Sequence, residues 1–173
     1  YGLINKEVKG DKVMATFKFL LGNEKDLAGK NTIGDLTADL LKAGTKTKTK
    51  EQIQDKLDQL KSSIDTRISG QNLFISLSTY KNNYPEVMDI LKDMLANSTF
   101  PQNELTKTIS EYTTALEGQL KDPQALAQNE LQRLAMPYPK ESVFYTASLQ
   151  EEIDNTKKVT RDQIVNFYET IMG

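Results

Sequence analysis

The sequence lacks the side chains on which many enzymes rely for acid–base, nucleophilic and metal chemistry. Its 173 residues include no histidine and no cysteine. Without cysteine there are no disulfides, thiol nucleophiles or thiolate metal sites. Without histidine there is no imidazole zinc ligand and no side chain that ordinarily titrates near neutral pH. Acid–base chemistry would therefore fall to a carboxylate, a lysine or a tyrosine with a shifted pKa.

An excess of one charge and long apolar runs are missing too. The formal net charge is −2, so no overall field attracts nucleic acid or anionic lipid. No apolar run approaches the roughly 18 residues of a membrane helix. We therefore expect neither nucleic-acid binding nor membrane insertion. The sequence is 38% hydrophobic and 27% charged, which is typical of a globular domain.

The chain has the length of one domain, and we treat residues 1–173 as a single unit. It begins at Tyr1 rather than at a methionine and ends at Gly173 directly after a helical pattern. We therefore expect a domain excised from a longer polypeptide.

Alternating apolar residues predict β-strands in two places. Residues 13–20 form one strand, and residues 3–10 are its predicted hairpin partner across the turn at Gly10-Asp11. Residues 72–80 form the other, with residues 66–69 as partner. Because a lone hairpin is marginally stable, we expect both hairpins to share one sheet.

The rest of the chain carries apolar residues at helical spacing. The opening helix is predicted from about Asp26 to Ala43, with a stop at Gly44 and an apolar stripe of Ile33, Leu36, Leu40 and Ala43. A second helix is capped by Thr49 and Gln52 and has a stripe of Ile53, Leu57, Leu60 and Ile64, and a third has Pro85 in its first turn and ends at Asn97. A fourth spans residues 102–120, and a fifth restarts at Asp122-Pro123 with a stripe of Leu126, Ala127, Leu131 and Leu134. The last two are a short helix over residues 148–154 and one capped by Thr160 and Gln163. This order predicts an α+β fold, with helices on one face of a small antiparallel sheet.

Asp35 and Asp39 are the most suggestive carboxylate pair, because they lie one turn apart on the opening helix. Two monodentate carboxylates are too few ligands for calcium or magnesium. We therefore favour the interpretation that both are solvated surface residues.

Two other groups of residues invite a functional interpretation. We interpret Glu151, Glu152 and Asp154 as a solvent-exposed face rather than a catalytic cluster. Tyr138 and Tyr145 border a proline-rich loop, where we favour packing over peptide contact. From residue chemistry alone, the sequence predicts an α+β domain without a recognisable active site.

The order and spacing of landmarks nevertheless resemble those of a known family over almost the whole chain. The landmarks are Gly22, the segment Leu40-Leu41-Lys42-Ala43-Gly44-Thr45, the cap at Thr49, Phe100-Pro101, Asp122-Pro123, Tyr138-Pro139 and the segment from Thr160 to Tyr168. They resemble the peptidase domain of insulinase/pitrilysin-type zinc metallopeptidases, a family that includes the mitochondrial processing peptidase. The resemblance implies the α+β fold of that domain.

Active members of this family carry an inverted zinc motif, H-x-x-E-H, on the helix before the Gly-Thr pair. Counting back from Gly44, the motif positions are Asp35, Ala38 and Asp39. The third ligand, a glutamate in active members, would fall near Thr114 or Ala115. The resemblance therefore implies that this domain has no catalytic residue, metal ligand or cofactor of its own. The resemblance also implies that the parent protein is a zinc-dependent metalloendopeptidase and that its catalytic half holds the zinc.

The resemblance also implies a role. The chain would be the inactive peptidase-like domain of a bacterial-type zinc protease, lining the substrate chamber and packing against the catalytic half. Its partners would be other domains of the same polypeptide, an unfolded peptide substrate and, in isolation, a second copy of the chain. Two alternatives stay open: a scaffold or core-type subunit of a complex without peptidase activity, and a peptide-binding module. Bacterial relatives of this type are often exported, which suggests the periplasm.

Overall fold

A three-stranded antiparallel sheet forms one layer of the structure, a computed structural model that describes residues 10–172. The strands are β1 (Lys12–Leu20), β2 (Ser63–Ser69) and β3 (Asn72–Tyr80), in the order β1-β3-β2. The hairpin of β2 and β3 is confirmed, and so is β1. The predicted strand before β1 lies outside the described residues, apart from Gly10.

The strand register follows the alternation of apolar residues. In β3, Leu73, Ile75 and Leu77 are buried, whereas Ser76 between them is exposed. Ile75 lies opposite Phe17 of β1 on one side and Thr66 of β2 on the other. Because side chains alternate between the faces of a sheet, this register turns the apolar face of all three strands to the same side.

Eight α-helices make up most of the remaining described chain, and several of them cover that apolar face. They are α1 (Glu24–Leu27), α2 (Asn31–Leu40), α3 (Lys50–Gln59), α4 (Tyr84–Asn97), α5 (Gln102–Gln119), α6 (Pro123–Ala135), α7 (Leu149–Lys158) and α8 (Arg161–Phe167), followed by a π-helical turn, Tyr168–Met172. The predicted α+β fold is thereby confirmed. None of the helices between residues 10 and 172 has both the length and the apolar character that a membrane span requires.

Helix α2 lies at the centre of this arrangement. It contacts β2, α5, α7 and α8. Its Leu36 and Leu40 are essentially inaccessible to solvent and join the main apolar core. Phe167 of α8 packs 3.2 Å from the position that a Cβ would take on Gly34. Glycine at residue 34 therefore lets α8 approach α2 closely.

The prediction of one opening helix from Asp26 to Ala43 is wrong at both ends. Helix α1 ends at Leu27 and α2 begins at Asn31, because the chain turns at Gly29 with a φ of +67°. Helix α2 ends at Leu40, before Gly44. Gly44 instead forms an antiparallel bridge with Thr49.

Two predicted apolar stripes also differ from the structure. Ile64 is buried, but it belongs to β2, because α3 ends at Gln59 and Lys61 takes a φ of +48°. Helix α6 starts at Asp122-Pro123 as predicted, yet none of its residues is buried. Leu131 and Leu134 are 67% and 78% exposed. The predicted stripe of α6 therefore does not contribute to the core.

Candidate functional site

Helix α2 carries Asp35, Ala38 and Asp39, the residues that the resemblance assigns to the zinc-motif positions. Ala38 is fully buried against β2, where its carbonyl oxygen accepts a hydrogen bond of 2.7 Å from the Thr66 hydroxyl. Asp35 and Asp39 are only partly accessible to solvent. The interpretation of the two aspartates as freely solvated surface residues is therefore wrong.

Three carboxylates come together beside α2. Burial raises the pKa of Asp35 to about 7, and the negative charges of Glu152 and Asp39 add to the rise. Burial also raises the pKa values of Asp39 and Glu152. Each carboxylate loses water, and Asp35 lies close to two like charges, which together disfavour its ionised form.

The interpretation of Glu152 as part of a solvent-exposed face is also wrong. Glu152 projects from α7 towards α2, where the Thr32 hydroxyl donates a 3.0 Å hydrogen bond to its Oε1. Asp154 is exposed, as predicted. The sequence contained a signal for Glu152, since Leu149, Glu152, Ile153 and Thr156 follow helical spacing on the buried side of α7.

Helix α5 contributes a tyrosine to this group. Burial raises the pKa of Tyr112 to about 12, and the charges of Asp35, Asp39 and Glu152 raise it further. Thr114 and Ala115, the residues nearest the expected third-ligand position, have exposed side chains. From α5, Tyr112 therefore lies close enough to the three carboxylates for their charges to act on its hydroxyl.

A cavity of about 410 Å³ opens beside Asp35, and we call it the Asp35 cavity. It is lined by Asn31, Asp35, Ile68, Ser69, Gly70, Gln132, Met136, Tyr138, Val143, Phe144, Tyr145 and Thr146. These residues come from α2, the end of β2 with the turn after it, α6 and the loop before α7. Asp35 is the one charged residue among the described residues that line it.

Two of the three aromatic side chains in the cavity wall, Tyr138 and Phe144, form a pair. Tyr138 and Phe144 are 43% and 46% exposed, and their ring centroids lie 5.4 Å apart. A Cβ added to Gly70 would lie 3.0 Å from the Phe144 ring, so Gly70 makes room for that ring. Glycine also suits the φ of +55° at this turn.

Hydrogen bonds hold the loop before α7 against the rest of the domain. The Asn31 side chain donates to the Val143 carbonyl at 3.3 Å. Glu151 accepts bonds from the Tyr145 hydroxyl at 2.7 Å and from the Lys140 ammonium at 2.6 Å. Tyr145 thus has a bonded, structural place in the wall, whereas Tyr138 keeps much of its ring accessible.

Comparison with protein-family models identifies the family. Residues 22–147, most of the chain, match the model described as insulinase, peptidase family M16. The chain belongs to the insulinase family. Comparison with curated proteins finds no match.

Solved structures share the fold of this insulinase-family chain at low sequence identity. A peptidase M16 inactive domain from Pseudomonas fluorescens is 17% identical, with a TM-score of 0.76 over 92% of this chain and 38% of that one. A protease from Helicobacter pylori is 11% identical, with a TM-score of 0.77 over 95% and 39%. The periplasmic protease PqqL from Escherichia coli is 12% identical, with a TM-score of 0.59 over 95% and 21%. The chain therefore spans about two fifths or less of these proteins.

The residues of this insulinase-family chain do not fit the zinc centre that the family implies. Such a centre uses imidazole ligands, and the sequence contains none. Within residues 10–172, no group of three or more acidic side chains is arranged to hold a metal ion. Asp35, Ala38 and Asp39 on α2 offer two carboxylates and a methyl group, which are not the donor set of this zinc site.

Proposed function

We propose that this chain is a non-catalytic peptidase-like domain of a larger zinc metallopeptidase. It lines the chamber that receives an extended peptide and packs against the catalytic half of the same polypeptide, where zinc is held. The family match and the fold support the peptidase-like character. The partial coverage of the related structures supports further domains in the same polypeptide.

The observation that carries this proposal is that α2 keeps its buried apolar residues but has no imidazole. The helix retains the buried Leu36 and Leu40 that pack it into the core. By the assignment drawn from the resemblance, Asp35, Ala38 and Asp39 stand where active members carry the imidazoles and the general base. On that assignment the helix is kept without the groups that activate water, which suits a domain that contacts substrate without cleaving it.

The test measures cleavage of a fluorogenic peptide that contains no lysine or arginine, with the full-length protein that carries this chain. We expect a double variant, Asp35→Ala with Asp39→Ala, to keep most of the wild-type kcat, because neither carboxylate takes part in the reaction. A correctly folded double variant that loses most of its activity would contradict the proposal. If the wild-type protein has no chelator-sensitive peptidase activity, the assignment to a zinc protease fails and scaffolding is the function that remains.

A further inference from the structure

The Asp35 cavity has the dimensions of a site for one side chain of a peptide. Its volume of about 410 Å³ lies near the lower end of the range, roughly 300–1,000 Å³, that is usual for ligand sites. Its walls come from four separate parts of the fold and include Tyr138, whose side chain is 43% exposed. An extended peptide that crosses the mouth can therefore place one side chain inside.

The charge of the cavity selects the kind of side chain. Once ionised, Asp35 supplies a negative charge, and no lysine or arginine is among the described residues of the wall. All three causes of the raised pKa of Asp35, namely burial, Glu152 and Asp39, disfavour its anion. Within residues 10–172 the carboxylate forms no ion pair. A cation entering the cavity would supply the counter-charge that the fold omits.

The aromatic wall favours the same ligand. Tyr138 and Phe144 present rings whose centroids lie 5.4 Å apart at an interplanar angle of 43°. An ammonium or guanidinium group is attracted to the face of such rings, and the methylene stem of lysine or arginine packs against them. Met136 adds a flexible apolar contact at the same wall. Above about pH 7, where Asp35 is ionised, an acidic side chain would be repelled by its carboxylate.

We propose that the Asp35 cavity binds the basic side chain, lysine or arginine, of the peptide that occupies the chamber. The proposal rests on the proposed function, since it names the side chain that this domain selects. The carboxylate of Asp35 pairs with the cation, and Tyr138 and Phe144 hold its stem. Where active relatives bind a metal cation on this helix, the present chain would bind a cation carried by the peptide.

The experiment measures binding of three capped pentapeptides of alanine whose central residue is lysine, norleucine or glutamate. Fluorescence anisotropy is recorded at pH 8, where Asp35 is ionised, with the full-length protein in EDTA so that no zinc-dependent cleavage occurs. We expect the lysine peptide to bind about tenfold more tightly than the norleucine peptide, the scale of one partly buried charged hydrogen bond. We expect the glutamate peptide to bind most weakly.

Two isosteric variants locate the effect. Asp35→Asn should reduce the preference for lysine to about twofold or less, because the amide carries no charge. Asp55→Asn removes the same charge from an exposed position on α3 and should retain the full preference. Equal affinities for lysine and norleucine in the wild type, or an undiminished preference in Asp35→Asn, would overturn the inference and leave the proposed function standing. If none of the three peptides binds, peptide binding by this protein, and the inference with it, is wrong.

Discussion

The Asp35 carboxyl lies beside two other carboxylates and is largely removed from water. In the folded protein it keeps its proton up to about pH 7, whereas in the unfolded chain it releases the proton near pH 4. Between these values the folded state binds more protons than the unfolded state. The free energy of unfolding that Asp35 contributes therefore falls as the pH rises from about 4 to about 7.

We expect Asp35→Asn to remove this pH dependence. At pH 8 the variant should be more stable than the wild type by roughly 2–4 kcal/mol, because a neutral amide replaces a buried anion. At pH 4 the two proteins should differ little. Urea unfolding at both pH values measures the difference, and Asp55→Asn on α3 is the control for the loss of one negative charge. A wild type and an Asp35→Asn variant with the same pH profile would show that the Asp35 carboxyl is solvated.

Backbone conformation decides the effect of two other single-residue changes. Gly29 and Gly118 both have open space around a hypothetical Cβ, with no atom within 4 Å. They differ in conformation, since Gly29 has a φ of +67° between two helices and Gly118 lies within α5. An added methyl group would meet no atom at either residue, so the two substitutions differ mainly in the backbone φ.

We expect Gly118→Ala to raise the free energy of unfolding by about 0.5–1 kcal/mol, because alanine restricts the unfolded chain and suits a helix. Gly29→Ala should lower it by about 1–2 kcal/mol, because a left-handed φ is unfavourable for alanine. Chemical denaturation of the two variants side by side provides the measurement. Effects of the same sign would mean that the break between α1 and α2 does not require a left-handed residue.

At the scale of elements, α6 differs from the helices that build the core. Its Leu131 and Leu134 are 67% and 78% exposed, whereas Leu105 of α5 is 1% exposed. Its start is nevertheless well defined, because the Asp122 carboxylate accepts a hydrogen bond of 2.9 Å from the backbone N–H of Gln124. The apolar side chains of α6 therefore do little for the stability of this domain.

We expect Leu131→Ala and Leu134→Ala to change the free energy of unfolding by less than about 0.5 kcal/mol each. Leu105→Ala, the same change at a buried position, should cost about 2–5 kcal/mol. Thermal and urea unfolding of the three variants separates the two cases. A loss above about 1 kcal/mol at either α6 position would indicate that α6 packs against the domain in solution.

Sequence patterns predicted the elements whose signals are local. The capping boxes of Thr49 with Gln52 and Thr160 with Gln163 involve residues close in sequence, and both form. The alternation in β3 predicted its buried face correctly. The turn at Gly29 was missed because one glycine weakens a predicted helix without indicating a left-handed φ.

The site was harder to predict, because its parts are distant in sequence. Asp35, Tyr112 and Glu152 meet only through the packing of α2 with α5 and α7. Local sequence therefore favoured interpreting Asp35 and Glu152 as solvent-exposed residues. The exposure of Leu131 was missed for a similar reason. An apolar stripe indicates that a helix face prefers burial, but it does not show which part of the fold would cover that face. Local periodicity therefore predicted the framework, and tertiary packing determined the chemistry of the cavity.

For the whole molecule, the chemistry of the donor set predicts how stability responds to zinc. A ligand that binds only the folded state raises Tm, and the increase grows with the ratio of ligand concentration to Kd. We expect the Tm of this 173-residue chain to be the same in EDTA and in micromolar zinc chloride, because the sequence contains neither imidazole nor thiolate. A control variant, Asp35→His with Asp39→His, places two imidazoles one turn apart on α2 and should gain a zinc-dependent rise in Tm. A rise in the wild type, with one zinc bound per chain, would show that the carboxylates beside α2 hold the metal without histidine.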